Sequence, residues 1–181
     1  MGDSCTDQEV KTSRECPRES MCMSQTAVFQ QGNKTTMSRS RGCLDNCHSG
    51  SQNVGILRAA IVCCNTDLCN AQYAPDPRTM FPNGKKCYSC DEKSCLNIMS
   101  CSESEDGCIT VTSEKKEVSG TSGGQPRDVK GCISKHKCDL MVSSSREHVT
   151  CCSGNLCNGA QSVAQGFLFL CCSLLTFFLL H

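Results

Sequence analysis

The feature that most restricts this chain is a pair of adjacent cysteines that occurs twice in the same setting. Residues 63–70 read Cys-Cys-Asn-Thr-Asp-Leu-Cys-Asn, and residues 151–158 read Cys-Cys-Ser-Gly-Asn-Leu-Cys-Asn. Neighbouring cysteines seldom bond to each other, because the small ring strains the intervening peptide and departs from ordinary disulfide geometry. Each doublet therefore sends its two bonds in different directions. The second cysteine can close the short loop to Cys69 or Cys157, and the first can reach back to Cys47 or Cys138, which pins two segments at one point. The chain is a tandem repeat, each copy ending on the Asn just past its last cysteine.

Cross-links have to replace a core here. Of 181 residues, 20 are Cys, none is Trp and 4% are aromatic. Cysteine above roughly 8 to 10% marks disulfide scaffolds of oxidising compartments, whose modules are too small to bury enough apolar surface. The competing explanation is cysteine-ligated zinc, for which Cys87-x2-Cys90 with His136 and His148 are the candidates. Zinc ligands usually come in pairs two to four residues apart, whereas adjacent cysteines ending both halves suit divergent disulfides better. The formal net charge is zero, so no overall field favours nucleic acid or acidic membranes. Arg39, Arg41, Lys85 and Lys86 read as solvated loop residues.

The two halves run in parallel. Cys16-x5-Cys22 matches Cys101-x6-Cys108, and each is followed by a long cysteine-free excursion ending at Gly42-Cys43 or Gly131-Cys132. Short β-prone runs on either side of Gly and Asn read as hairpins: 26–30 and 35–41 around 31–34, and 109–113 returning towards Val129 around 119–124. A third excursion runs from Cys47 to Cys63 or from Cys138 to Cys151, with strand-like residues at 56–62 and 148–150. No helix is expected before the C-terminal region. Between the repeats, residues 71–86 hold Pro75, Pro77, Pro82 and Gly84 but no cysteine, which predicts an extended, semi-rigid linker between modules that share no core. The opening residues hold no basic flank and no apolar run, and the first repeat has nothing ahead of Cys5 to match Cys87 and Cys90. The expectation is a start inside the first module, which leaves Cys5 and Cys22 unpaired by truncation, to bond to each other or to another chain.

After Asn158 come Gly159, Ala160, a polar stretch to Gly166 and the apolar residues 167–180, with only His181 beyond. A spanning helix needs about 20 apolar residues, and no Lys or Arg follows this shorter run. Small residues, a polar spacer and an apolar end are what a glycosylphosphatidylinositol (GPI) signal requires. Residues 159–181 are accordingly read as a signal that is removed, with Asn158 as the lipid-bearing residue and Gly159 as the second choice. Asn33-Lys34-Thr35, at a hairpin tip, is the one Asn-x-Ser/Thr sequon, which predicts a glycan on Asn33.

Cys87-Tyr88-Ser89-Cys90, Gly131-Cys132 and the closing Cys-Cys-x3-Leu-Cys-Asn together resemble the ten-cysteine module of the Ly-6/urokinase receptor family, built on the three-finger fold of snake toxins. The resemblance covers most of the chain up to Asn158. It implies an all-β, disulfide-rich chain of two tandem three-finger modules, the first at 1–70 and the second at 87–158. It further implies the pairs Cys87 with Cys108, Cys90 with Cys95, Cys101 with Cys132, Cys138 with Cys151, and Cys152 with Cys157. In the first module it implies Cys16 with Cys43, Cys47 with Cys63, and Cys64 with Cys69. Asn70 and Asn158 are implied to hydrogen-bond the palm where the fingers meet.

Function follows as an expectation. A disulfide closing 15 or more residues contributes about 3 kcal/mol, so a stapled palm leaves the finger tips free to vary and suits recognition. The reading is a receptor-like protein on the outer face of the plasma membrane, GPI-anchored, that binds an extracellular or cell-surface protein through its finger loops; residues 31–36 and 120–125 are the candidate contacts. The alternative is a secreted two-module inhibitor resembling plasma phospholipase A2 inhibitors. Catalytic residues, cofactors and metals are not expected, since the cysteines are committed to bonds and the serines and histidines carry no nucleophile signature.

Overall fold

The computed structural model describes residues 4–6, 13–91, 94–112, 128–145 and 147–159. The chain forms a small, disulfide-rich, mostly β structure of two modules, each a palm with three projecting fingers. In the first module, β1 (Ser4–Thr6) pairs antiparallel with β2 (Ser13–Glu15). The long hairpin β3 (Ser20–Gln31) and β4 (Lys34–Asp45) is the second finger. Its two-residue loop places Gly32 at φ +58° in the first central position, where a type II′ turn calls for glycine. The third finger is β5 (Gly50–Asn53) with β6 (Leu57–Cys64), and β6 also pairs with β3. Along β3, Ser20, Cys22, Ser24 and Thr26 are buried while Met21, Met23 and Gln25 are half-buried, the period of two of a strand with one covered face.

The second module repeats this plan with one change. Its first finger is β7 (Pro82–Ser89) with β8 (Asn97–Ser102), and its second is β9 (Gly107–Thr112) with β10 (Val129–Ile133). Its third finger is α1 (Lys135–Ser144) followed by β11 (His148–Cys152), which pairs with β9. The helix corrects the sequence expectation. Its ten residues contain no Gly or Pro and include the good helix formers Lys, Leu and Met, but they bury only Cys138, so no apolar stripe announces it. Ser143 and Ser144 turn their hydroxyls back to the carbonyl of Leu140, at 2.9 and 2.7 Å, in the last turn.

Sulfur occupies the centre of each palm. In the second module Cys87, Cys101, Cys108 and Cys132 are buried together, with Met99 and Cys152 against them. In the first, Cys16 and Cys22 are packed by Cys43, Cys64 and Cys69. The structure joins Cys16 to Cys43, Cys47 to Cys63, Cys64 to Cys69, Cys87 to Cys108, Cys90 to Cys95, Cys101 to Cys132, Cys138 to Cys151 and Cys152 to Cys157. Cys22 is also disulfide-bonded, so it is not left as a free thiol. Its partner is in none of these eight pairs. The side chain of Cys5 lies outside the described residues.

The modules share a seven-stranded sheet in the order β11-β9-β10-β5-β6-β3-β4. The seam is the antiparallel pair β10 with β5, where Cys132 faces Asn53 and Ile133 faces Gln52. Ser134 N continues it by donating to Ser51 O at 2.9 Å. Two glycines allow the approach. A Cβ on Gly131 would overlap the carbonyl of Asn53, and one on Gly50 would run into the Ser134 hydroxyl. Val54 of the first module packs on the cluster of Ile109, Val111, Ile133 and Cys138 in the second.

The connecting segment lies against the first module, a contact that the expected semi-rigid spacer did not include. Thr26, fully buried, donates from Oγ1 to Ala74 O at 2.6 Å, and Ala74 is itself buried. The Tyr73 ring lies under Arg41, 3.7 Å from guanidinium carbon to ring centre, with Arg39 at 5.4 Å. These arginines stand on β4 and hold the linker by cation–π contact rather than lying in solvated loops. Asp76 and Arg78 form a two-pronged ion pair just beyond, and the hydrogen bonds from Arg78 hold the Asp76 carboxyl below its usual range. The last residues assigned to the linker, including Lys85 and Lys86, already belong to β7.

Candidate ligand-binding cleft

A cleft of about 860 Å³ opens where the finger tips of the first module meet the first two fingers of the second. Its first wall is the end of the β3–β4 hairpin, from Phe29 to Gly32, and the turn between β5 and β6. Gln30 N donates to Ile56 O at 2.9 Å, which ties these two fingers together. The opposite wall runs from Ser89 to Asp91, with Asn97, Asp128 and Val129. The modules touch at its base, where a Cβ on Gly55 would sit 3.7 Å from Cys90 O.

The lining is chemically mixed. Phe29 and Ile56 are 47% and 62% exposed, a large apolar surface to leave in water. Val54 and Val129 also line it, and Arg58, Asp91 and Asp128 bring charge of both signs to the lining. Such a surface can seat an apolar side chain of a partner and orient it by charge, the arrangement of a recognition surface.

The positions of these walls depend on the palms. Asn158 is 4% exposed and joins backbone from two strands: Tyr88 N donates to its Oδ1 at 2.8 Å, and its Nδ2 donates to Tyr88 O at 2.9 Å and Ile109 O at 3.1 Å. Asn70, 2% exposed, donates to Met23 O at 3.0 Å in the first module. In both repeats the leucine two positions earlier, Leu68 or Leu156, has a positive φ, at +55° and +58°, so the chain turns sharply before presenting the Asn inward. Leu156 N donates to Lys86 O at 2.7 Å, closing the end of the second module onto its beginning.

The sequence-derived candidates fall unevenly around this cleft. Gln31 and Gly32 line it, and Asn33 is exposed at the same tip. Residues 120–125 lie outside the described residues, as do residues 160–181 of the C-terminal region. Among the described residues no helix is long and apolar enough to cross a membrane. Cys87 and Cys90 are both in disulfides, and His136 stacks on His48. The close approach of Cys87 to Cys101, 3.3 Å between sulfurs, is contact between two disulfides that have no proton to share. Sequence reasoning missed Ile56, Arg58 and Asp128 because their significance depends on β5 meeting β10; the one local hint was Gly131, a glycine inside a strand, which marks close approach of another backbone.

Each module matches a family model of known proteins. The family model for the u-PAR/Ly-6 domain matches residues 2–72, and the model for snake toxin and toxin-like proteins matches residues 86–158. The urokinase plasminogen activator surface receptor of Rattus norvegicus is 30% identical over 125 residues, covering 62% of this chain and 38% of that protein. The receptor of Bos taurus is 31% identical over 106 residues, covering 53% and 31%. The chain spans about a third of the length of these relatives. The crystal structure of mouse TEX101 aligns over 81% of this chain and 88% of that one, at 18% identity and a TM-score of 0.30.

Proposed function

Because the chain belongs to the Ly-6/urokinase receptor family, as two tandem modules, we propose that it is a cell-surface binding protein that recognises an extracellular protein ligand and catalyses no reaction. The observation that carries this reading is the mixed apolar and charged cleft at the module seam, whose walls are fixed by disulfides, by two buried asparagines and by one continuous sheet. A preorganised surface of this kind loses little entropy when it binds. The apolar residues 167–180 support GPI attachment, with Asn158 as the lipid-bearing residue. The lipid is joined through the main-chain carboxyl, so the side-chain hydrogen bonds of Asn158 to Tyr88 and Ile109 are compatible with it. A glycan on Asn33 would border the cleft at the exposed tip.

The test uses the chain expressed with a signal peptide in animal cells. Phosphatidylinositol-specific phospholipase C should release it from the surface. The released protein should capture a surface or secreted partner by cross-linking, and Phe29→Glu with Ile56→Glu should reduce that capture at least tenfold without altering the thermal midpoint. A chain that resists the phospholipase and retains residues 167–180 counts against the anchor; capture unaffected by the paired substitutions counts against the cleft.

A further inference from the structure

The seam between β10 and β5 buries a carboxylic acid that neither the palm nor the cleft requires. Glu105, in the turn between β8 and β9, is 3% exposed. Its Oε2 accepts from Ser102 N at 2.7 Å, and its side chain also bonds Ser51 of the first module. Ser51 is fully buried and shares a hydrogen bond with the Ser104 hydroxyl at 3.1 Å. The carbonyl of Glu105 is held by Asn83 Nδ2 at 3.0 Å. The carboxyl is thus gripped from both modules and cannot regain water unless the seam parts.

The charged and titratable groups around it come from every neighbouring element. Arg58 reaches towards it from β6, and Glu103 lies in its own turn. Asp106 accepts from Lys135 N at 2.7 Å at the start of α1, and the half-buried Lys137 approaches from that helix. His136 of α1 stacks on His48 across the same seam. We propose that Glu105 is a proton-operated latch between the modules: uncharged, it stays in the seam, and ionised, it weakens the seam and lets the modules part.

Burial, the largest influence on Glu105, raises its carboxyl above the usual range, while Ser102, Ser51 and Arg58 pull it down less strongly. The docked state therefore holds the proton more tightly than an open state in which water reaches the group. Docking is strongest below the ordinary glutamate range and weakens as the pH rises through the raised value. Burial lowers Lys137, with Glu105 opposing. Its contribution has the opposite sign, because docking is relieved as this lysine loses its charge, and it falls at higher pH, between its lowered value and the ordinary lysine range.

The latch is independent of any ligand, so the full chain alone tests it, by small-angle scattering and calorimetry between pH 4 and pH 8. For the unsubstituted chain, the ratio of open to docked molecules should rise severalfold as the pH rises through the raised value of Glu105. Glu105→Gln keeps an oxygen for Ser102 N but cannot ionise, and should flatten the response. Replacing His48 and His136 together by Gln should leave the response in place. Ser51→Ala keeps the acid and removes a bond that favours its charged form, so it should move the midpoint to higher pH. Scattering that is the same at both pH values, a response that survives Glu105→Gln or vanishes with the histidines, or a midpoint unmoved by Ser51→Ala overturns the proposal.

Discussion

The third fingers of the two modules occupy the same place in the cysteine framework and are built differently. Between Cys47 and Cys63 the first module makes the hairpin β5–β6; between Cys138 and Cys151 the second makes α1 and a single strand. The cross-links hold the ends of the excursion and leave its path to local sequence. Gly50 to Asn53 and Leu57 to Cys64 flank a turn at Gly55, φ +80°, and form a hairpin. Residues 135–144 lack a turn signal and coil. The consequence lies at the module seam, because only a strand in the first module can offer an edge to β10, while the helix of the second packs behind β5 and supplies Ser134, Lys135 and His136 to the junction.

The largest expected effect comes from breaking the framework on one side of this comparison. Cys101 with Cys132 and Cys16 with Cys43 are separated by 31 and 27 residues, so removing either pair should cost its own module about 3 to 4 kcal/mol on loop length alone. Cys132 also stands on the seam opposite Asn53. Replacing Cys101 and Cys132 by Ser should therefore loosen the junction as well as the module, whereas the same change at Cys16 and Cys43 should spare the second module. Denaturant unfolding followed by protease mapping of each module separates these outcomes; equal loss of junction contact in both variants would mean the framework and the seam are not coupled as described.

A smaller effect sharpens the comparison of the palms. Asn158→Ala leaves Tyr88 N, Tyr88 O and Ile109 O without their buried partner, which should destabilise the second module by about 3 kcal/mol. A loss below about 1 kcal/mol in urea unfolding, the scale of a single exchanged hydrogen bond, would show that water replaces the amide there. The smallest of the three concerns the seam glycines. Gly131→Ala meets backbone and must push β5 away, at about 2 kcal/mol. Gly50→Ala meets a serine hydroxyl that can rotate, so its cost should be the lesser. Scattering should detect parted modules for Gly131→Ala and little change for Gly50→Ala; the reverse order would contradict the seam geometry.

How much of this is legible in the sequence depends on whether the responsible residues are near one another along the chain. The doublets at 63–64 and 151–152 reveal the repeat, and the β-prone runs around Gly32 reveal the long hairpin, because both signals are local. The helix escapes notice since its only buried side chain is Cys138, which reads as one end of a cross-link rather than as part of a face. The docking of the linker is hidden because Thr26 reaches Ala74 across nearly fifty residues, and prolines advertise an extended chain without saying what it lies on. Arg39 and Arg41 resemble solvated loop residues until Tyr73 is placed beneath them. The cleft depends on a strand pairing between modules, for which neither edge carries a signature beyond Gly131.

The seam also decides how the molecule answers to force. Each of the eight described disulfides stays within one module, so tension applied across the two modules finds the palms covalently bounded and the β5–β10 contact held only by weak bonds. The seam yields first, the hold of Thr26 and the two arginines on the linker next, and extension then stops at the reach of residues 71–81, about 35 Å at roughly 3.3 Å per residue. A chain of this construction behaves under load as two stiff bodies on a short leash, lengthening once by a fixed amount and recovering when the pull ends.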